Sequence, residues 1–283
     1  METIRQKTSF AGFTGTGLKV LALVLMVLDH IHYFFGFTGL IPEWFSMAGR
    51  LAAPIFLFCV VEGFSHTRSR GRYFLRIAAV AIPMGALRFF MQYGGFFNRP
   101  DGFYPRNGIF TDFMVLLVIW QGIDWLCARR FLPGLAALLG ALLWPFGSAL
   151  LFNAVPGIET FLGFSCYTFL PSWMFGEGGI VTLVSGILLY VFRKRRGLQL
   201  AAWGTFVFLY DFVFIGYMVV RGGESFTTLF TQYYEWMELL AVVPLALYNG
   251  RRGRGLKALF YVFYPAHVYI LYALSWALYL VIH

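Results

Sequence analysis

The sequence predicts an all-α, polytopic membrane protein that folds as a single helical domain over residues 1–283. Of these residues, 59% are hydrophobic and 12% are charged, whereas a soluble domain is about half apolar and about a quarter charged. Apolar runs long enough to cross a hydrocarbon core of about 30 Å recur along the chain. The basic residues collect in alternate connecting segments, as positive-inside orientation requires. These three observations indicate a membrane helical bundle.

Nine segments are predicted to span the membrane. They lie near 18–37, 48–65, 72–92, 108–127, 131–152, 177–192, 199–220, 228–248 and 257–281. The stretch 157–175 is also apolar, and there are ten spans if it crosses too. A cytoplasmic amino terminus places 17 of the 22 basic residues on the inner side. We therefore expect a multi-pass protein of the inner membrane with its carboxyl terminus outside.

Composition also argues against several other classes of protein. A net charge of +9 would favour nucleic-acid binding in a soluble protein, but here the basic residues follow the topology, and no nucleic-acid partner is expected. Cys59, Cys127 and Cys166 lack CxxC or CxxH spacing, which argues against disulfides and a zinc site. No two histidines have i, i+4 spacing on one helix, so no metal is expected.

The first span, LKVLALVLMVLDHIHYFFGF, carries Asp29, His30 and His32 at a depth where ionisable groups are costly and are candidates for function. Lys19 and His30 share one helical face, about 16 Å apart along the axis. A cation at the rim and a base near mid-membrane could hold an anionic cofactor with its reactive end at the base. The alternatives are a snorkelling Lys19, a packed core His30 and a solvated His32.

Asp29 needs a partner, because an aspartate at the bilayer centre costs about 2.5–3.5 kcal/mol. Arg50 and Arg88, in the outer halves of their helices, are candidate partners and candidate acceptor-side residues. Asp211 is expected level with His30, where it could orient the histidine or balance Arg88. Helix packing is the alternative role for Asp211.

The second span ends in a polar cluster. Glu62 and His66 are four residues apart and share a helical face at the cytoplasmic end. Arginines that could bind phosphates follow them at Arg68, Arg70, Arg72 and Arg76. Positive-inside orientation alone would also explain these arginines.

The last span contains FYVFYPAHVYIL. Pro265 removes a backbone hydrogen bond and should kink the helix beside His267. A kinked helix that carries a buried histidine beside tyrosines such as Tyr264 could line a cofactor site. A core histidine is the alternative.

In their order along the chain, these motifs resemble the TraX family of integral-membrane proteins, named for the acetylase of F-type conjugative pilin. The segments that carry the resemblance are LKVLALVLMVLDHI, GRLAAPIFLFCVVEGFSHT with YFLR after it, NGIFT at 107–111 and LFYVFYPAHVYIL. Roughly residues 125–250 match only as hydrophobic spans. The family in turn resembles a superfamily of transmembrane acyltransferases, which move acyl groups from cytoplasmic acyl-CoA to acceptors at or beyond the outer face. Its signature of a basic residue, ten residues and a histidine fits Lys19 and His30, whereas His32 stands where a small residue is expected.

The resemblance implies an enzyme, an acyltransferase that uses acetyl-CoA as acyl donor. The donor is expected to meet Lys19, Arg68, Arg72, Arg76, Glu62, His66, Tyr264 and His267, with its pantetheine arm between the first, second and last spans. His30 would be the general base, because burial disfavours the imidazolium form, and Asp29 or Asp211 would fix its tautomer. The acceptor would be an amine or hydroxyl at the outer face, on a pilin-like peptide or an envelope glycan.

The sequence leaves two other classes of function open. A proton-coupled transporter would use Asp29, His30, Asp211 and His267 as a relay, although the two halves of the chain show no repeat symmetry. A non-catalytic scaffold fits poorly with several ionisable groups at depth. Direct transfer and an acyl-histidine intermediate are both compatible with the sequence.

Overall fold

The computed structural model describes residues 12–255 and 257–283. These residues form helices joined by short loops. The helices are α1 (Gly15–Phe35), α2 (Trp44–Gly49), α3 (Ala52–Ser65), α4 (Arg70–Gly94), α5 (Ile109–Cys127), α6 (Phe131–Ala154), α7 (Glu159–Tyr167), α8 (Gly179–Val191), α9 (Arg196–Phe208), α10 (Gly216–Arg221), α11 (Thr228–Thr231), α12 (Val242–Ala246) and α13 (Lys257–Ile282). A π-helical turn, Leu209–Ile215, joins α9 to α10, and a 3-10 segment, Glu235–Ala241, precedes α12.

Within the described ranges, seven helical segments are long and apolar enough to cross a membrane. They are Gly15–Thr38, Trp44–Ser65, Arg70–Gly94, Ile109–Cys127, Phe131–Ala154, Arg196–Arg221 and Phe260–Ile282. Leucines on one side of α6 are exposed, as expected for a surface that faces hydrocarbon: Leu132, Leu135, Leu139, Leu143 and Leu150. The prediction of a polytopic helical membrane protein is confirmed.

Two of the nine predicted spans are not helices of membrane-spanning length. Segment 177–192 contains α8, whose 13 residues extend only about 20 Å. Segment 228–248 divides into α11, the 3-10 segment and α12. The stretch 157–175 contains only the nine-residue α7 and a 3-10 turn, which is too short to cross.

Side-chain contacts nevertheless show that both shorter segments run from one end of the bundle to the other. The residue before α8, Gly178, donates to Asp112 near the start of α5, and Tyr190 near the end of α8 donates to Asp124 near the end of α5. In segment 228–248, Tyr234 donates to Glu43 over 2.7 Å beyond the end of α1, and Tyr248 forms a β-bridge with Phe13 beside the start of α1. The described chain therefore passes through the bundle nine times, and seven of these passes are long helices.

One end of the bundle, which we call the basic end, is held together by ion pairs. Asp124 accepts hydrogen bonds from Arg70 and from Arg193, the latter over 2.9 Å, and Glu62 lies 3.2 Å from Arg196. The loop after Tyr248 binds the start of α1 through backbone bonds at Gly15 and Thr16. The predicted placement of this end in the cytoplasm stays a prediction.

At the opposite end, a buried arginine fixes the loop between α4 and α5. Arg99 donates two hydrogen bonds to Asp101, over 2.9 and 2.7 Å. Its guanidinium lies 4.4–5.0 Å from the ring centres of Phe37, Phe103 and Tyr279, which come from three different parts of the chain. This loop ends at the residues that enter the candidate site.

Candidate functional site

A pair of buried histidines joins the first and last long helices. His30 Nδ1 on α1 lies 2.6 Å from His267 Nε2 on α13, and the two rings stack at 4.8 Å between centres. Both side chains are buried, with 4% and 8% of their surface exposed. α1 therefore turns the ring of His30 into the bundle rather than towards lipid.

The hydrogen bonds around the pair assign the tautomers of both rings. His267 Nδ1 lies 2.9 Å from the carbonyl oxygen of Phe263, which can only accept, so this nitrogen carries a proton. His267 Nε2 is then the acceptor for Nδ1–H of His30. His30 Nε2 is left with its lone pair and accepts from the side-chain amide of Asn107 over 2.9 Å. With both rings neutral, His30 Nε2 is the nitrogen of this hydrogen-bonded series that can take up a proton.

Asn107 reaches the pair from the loop that precedes α5. The adjacent residue, Arg106, donates its backbone N–H to Tyr33 Oη of α1 over 3.2 Å, which holds the loop against the first helix. Asn107 Oδ1 is buried and has no hydrogen-bond partner. A substrate N–H or O–H could bind to this oxygen.

The start of α5 is capped by a carboxylate from a distant part of the chain. Glu177 Oε2 accepts from the backbone N–H groups of Gly108 and Ile109, over 2.7 and 2.9 Å. Tyr264 Oη lies 3.5 Å from the same oxygen. Tyr264 and His267, both predicted as site residues, therefore lie beside the same loop as His30.

Arg88 lies behind this loop and is itself buried. Its guanidinium donates to the carbonyl oxygens of Arg106, over 3.1 Å, and Phe175, and lies 4.6 Å from the ring centre of Tyr167. The predicted partnership with Asp29 or Asp211 is not formed. Arg88 instead joins α4 to the two loops that flank the start of α5.

Asp29 is paired through a serine. Its Oδ1 accepts from Ser46 over 3.2 Å, and Ser46 Oγ accepts from Arg50 over 3.0 Å. Arg50 also lies 3.6 Å from Glu235. Gly49 permits this approach, because a Cβ there would lie 2.2 Å from Cβ of Asp29. Of the two predicted partners, Arg50 is the one beside Asp29.

The expectation that Asp29 or Asp211 fixes the tautomer of His30 is corrected by these contacts. Both ring nitrogens of His30 are bonded elsewhere, to His267 and Asn107. Asp211 lies in the π-helical turn, in the neighbourhood of Glu235 and Glu238. Its helix packs against α8 and the 235–246 segment rather than against α1. The prediction rested on the depth of Asp211 along its span, and depth does not show which helix a side chain faces.

The residues predicted to bind the phosphates of the donor do not form one cluster at the basic end. Lys19 Nζ lies 5.6 Å from the ring centre of Phe260 on α13. Glu62 is paired with Arg196, and His66 Nδ1 donates to the carbonyl oxygen of Glu62 over 2.9 Å, so both have structural contacts. The predicted phosphate-binding arginines on and before α4 are exposed: Arg68, Arg72 and Arg76.

Two cavities lie near the histidine pair. A groove of about 650 Å³ runs between α4 and α13, with Arg76 and Tyr261 in its lining as well as Pro265 and Ala266 next to His267. A cavity of about 250 Å³ at the opposite end is lined by Tyr33 and parts of loop 102–106. The two linings share no residue. The groove lies between the third and last spans, whereas the sequence places the donor arm between the first, second and last.

Two residues of this site were not predicted as site residues. Asn107 belongs to the NGIFT motif, which was recognised only as part of the family resemblance. Glu177 lies between glycines in GEGG, and no spacing pattern connects it with a helix that begins 68 residues earlier. Only the three-dimensional fold brings either residue to the histidines.

Fold and site together define a polytopic helical membrane protein with a buried, hydrogen-bonded histidine pair between its first and last helices. The model of the TraX protein family matches residues 14–275, so the chain belongs to the TraX family. It is also 25% identical over 280 residues to a protein of Dichelobacter nodosus, the probable fimbrial assembly protein FimC, serogroup H1. That match covers 92% of this chain and 94% of the relative. No solved structure matches the chain.

Proposed function

We propose that this protein is a membrane acyltransferase of the inner membrane, which moves an acetyl group from acetyl-CoA to an amine or hydroxyl acceptor at the outer face. The main support for this proposal is the series of hydrogen bonds from Asn107 through His30 and His267 to the carbonyl oxygen of Phe263. It presents one basic nitrogen, His30 Nε2, in a buried site. A general base of this kind is what acyl transfer to an amine or hydroxyl needs.

In the proposed mechanism, the acceptor replaces the amide of Asn107 at His30 Nε2. The acceptor's N–H or O–H gives its proton to Nε2 as its nitrogen or oxygen attacks the thioester carbon. His30 can then pass its Nδ1 proton to His267 Nε2, whose ring is already bonded to Phe263 at the other nitrogen. The positive charge is shared by two rings, and the proton returns to the thiolate of CoA when the C–S bond breaks.

The basic end supports an anionic donor. Lys19 lies on the first helix eleven residues before His30, on the same helical face. The exposed arginines at 68, 72 and 76 offer further positive charge, and Arg76 also lines the groove that passes beside His267. Phosphates of CoA at this end would leave the thioester to extend towards the histidines.

The acceptor is proposed from the family and the relative. The family resemblance implies an acetylase of pilin, and the relative's name concerns fimbrial assembly. A pilin-like peptide with a free amino terminus is therefore the first acceptor to test, and an envelope glycan is the second. Arg50 and Arg88 were expected on the acceptor side; Arg88 adjoins the loop of Asn107, whereas Arg50 lies beside Asp29.

A proton-coupled transporter is less well supported. The relay would need Asp29, His30, Asp211 and His267 in series, but the contacts join only the two histidines to each other. Asp29 bonds to Ser46, and one oxygen of Asp211 has no partner. No specific observation favours this alternative.

The proposal is tested with purified protein in detergent or liposomes. Acetyl-CoA should raise the thermal unfolding midpoint, and CoA should be released only when an acceptor peptide or glycan is added. The product should be heavier by one acetyl group in mass spectrometry. Absence of both stabilisation and CoA release, with peptide and glycan acceptors alike, would contradict the proposal.

A further inference from the structure

The start of α5 has the features of an anion-binding site. Gly108 and Ile109 direct their backbone N–H groups at one oxygen, Glu177 Oε2, over 2.7 and 2.9 Å. α5 has 19 residues, so its N-terminus carries the partial positive charge of a full helix. In this structure, an intramolecular carboxylate binds where such a site would bind an anion.

A buried guanidinium lies next to the same N–H groups. A Cβ at Gly108 would lie 2.5 Å from Arg88 Nη1, so glycine is required for this close approach. Arg88 is 6% exposed, and its Nε atom is buried without a hydrogen-bond partner. Two backbone amides thus bind the carboxylate of Glu177, and a buried guanidinium with one unpartnered nitrogen lies next to the first of them.

This anion site adjoins the proposed base. Asn107, which binds His30 Nε2, is the residue directly before Gly108. Only a few covalent bonds separate the amide of Gly108 from the side-chain nitrogen of Asn107, so that amide lies within roughly 9 Å of His30 Nε2. A reacting carbonyl group fits between a base and a pair of N–H donors placed in this way.

We infer that the N–H groups of Gly108 and Ile109 form the oxyanion hole of the acyl transfer, and that Glu177 fills it when no substrate is bound. This inference rests on the proposed function. When the acceptor attacks the thioester carbon, the electron pair of the C=O bond moves to the carbonyl oxygen, and the two N–H groups stabilise that negative charge. The pair re-forms the C=O bond as the C–S bond breaks, and the thiolate leaves.

Glu177 can leave the site without movement of its backbone. The carbonyl oxygen of Phe175 is held by Arg88, and the N–H of Gly178 is held by Asp112 over 3.0 Å, so the chain is fixed on both sides. Glu177 as a whole is an exposed residue, so part of its side chain borders open space. The proposal requires that its carboxylate exchange for a substrate oxygen by rotation about the side-chain bonds, with the backbone held in place.

The test removes one N–H group. Ile109 is the first residue of α5, a position at which proline is common in helices, and proline there removes the N–H. Ile109→Pro should lower the rate of acetyl transfer by about 10²–10³-fold, the usual loss of one oxyanion-hole donor. Ile109→Ala loses the same side chain but keeps the N–H, so it should retain most of the rate. Equal rates for the two variants would overturn the inference.

A second variant keeps the test decisive if Ile109→Pro does not fold. Glu177→Ala removes the carboxylate that competes with the substrate oxygen, so its KM for acetyl-CoA should fall below that of the wild-type protein. If Glu177 were needed for catalysis, Glu177→Ala would lose activity while its unfolding midpoint stayed near the wild-type value, and that result would also overturn the inference.

Wild-type protein in the same assay distinguishes failure of the proposed function from failure of the oxyanion hole. Wild-type protein that releases no CoA with any acceptor contradicts the proposed function. Wild-type protein that is active, with Ile109→Pro as active as Ile109→Ala, contradicts the oxyanion hole alone.

Discussion

His30 Nδ1 donates to His267 Nε2 over 2.6 Å, and this bond joins helices that begin more than 240 residues apart in the chain. The carbonyl oxygen of Phe263 fixes the direction of the bond, because it forces the proton onto Nδ1 of His267. Because each donor in this series of hydrogen bonds points the same way, one ring nitrogen keeps a lone pair that can act as a base. That nitrogen, His30 Nε2, is the atom on which the proposed mechanism depends.

Replacing His267 should slow acetyl transfer without abolishing binding of acetyl-CoA. His267→Ala removes the acceptor for His30 Nδ1–H, and we expect kcat to fall by roughly 10²-fold. His267→Gln keeps an acceptor oxygen and should be less impaired. The measurement is the rate of CoA release at saturating acetyl-CoA.

The double variant His30→Ala/His267→Ala distinguishes positioning from an independent role. If His267 acts through His30, the double variant should be no slower than His30→Ala alone. Additive losses would show that His267 acts on the reaction separately.

The transfer rates of two Asn107 variants should not follow how closely the new residue resembles asparagine. Asn107→Ala leaves His30 Nε2 free, whereas Asn107→Asp offers a carboxylate that favours a proton on that nitrogen and removes the base. We therefore expect the aspartate variant to be slower than the alanine variant, although aspartate has nearly the same shape as asparagine. Initial rates of CoA release at neutral pH test this order, and an aspartate variant that matches wild type would contradict the assigned tautomer.

Lys19 should affect donor binding rather than chemistry. Lys19→Ala is expected to raise KM for acetyl-CoA and leave kcat nearly unchanged, because the side chain would meet phosphates far from the thioester. Lys194→Ala, at an exposed position of the same basic end, is the matched control. A fall in kcat with unchanged KM would place Lys19 at the chemical step instead.

The pair of Arg99 and Asp101 should make stability depend on pH. Hydrogen bonds from Arg99 lower the pKa of Asp101 below its ordinary value of about 3.9. A carboxyl group with a lowered pKa stabilises the fold above its unfolded-state pKa, and this stabilisation is lost as the pH falls through the folded-state value. Asp101→Asn should therefore lower the unfolding midpoint at pH near 7, and the two midpoints should converge below about pH 4. A constant difference across this range would rule out the ionic contribution.

Local patterns predicted most of the fold. Length and apolarity are properties of short segments, and they located all seven long helices. The 228–248 segment has comparable apolarity, but it adopts a 3-10 segment and two short helices packed against α9. Whether such a segment forms one long helix depends on its tertiary packing, which a hydropathy average over the segment does not include.

The site was predictable in part for the same reason. His30 and His267 stood out because ionisable residues inside apolar spans are costly, and both line one site. Their direct bond, the amide of Asn107 and the carboxylate of Glu177 depend on contacts between distant segments. Asp211 was misplaced because its depth along the span, on which the prediction rested, does not show that its helix packs against α8 and the 235–246 segment.

The most direct test of the proposed role of His30 compares two neighbouring histidines on α1. Acetyl transfer from acetyl-CoA is measured by CoA release and by the mass of the product for wild type, His30→Ala and His32→Ala, with unfolding midpoints as a check on folding. We predict only residual transfer by His30→Ala, stabilisation of that variant by acetyl-CoA, and near wild-type transfer by His32→Ala. Undiminished transfer by folded His30→Ala protein would contradict the assignment of His30 as the base.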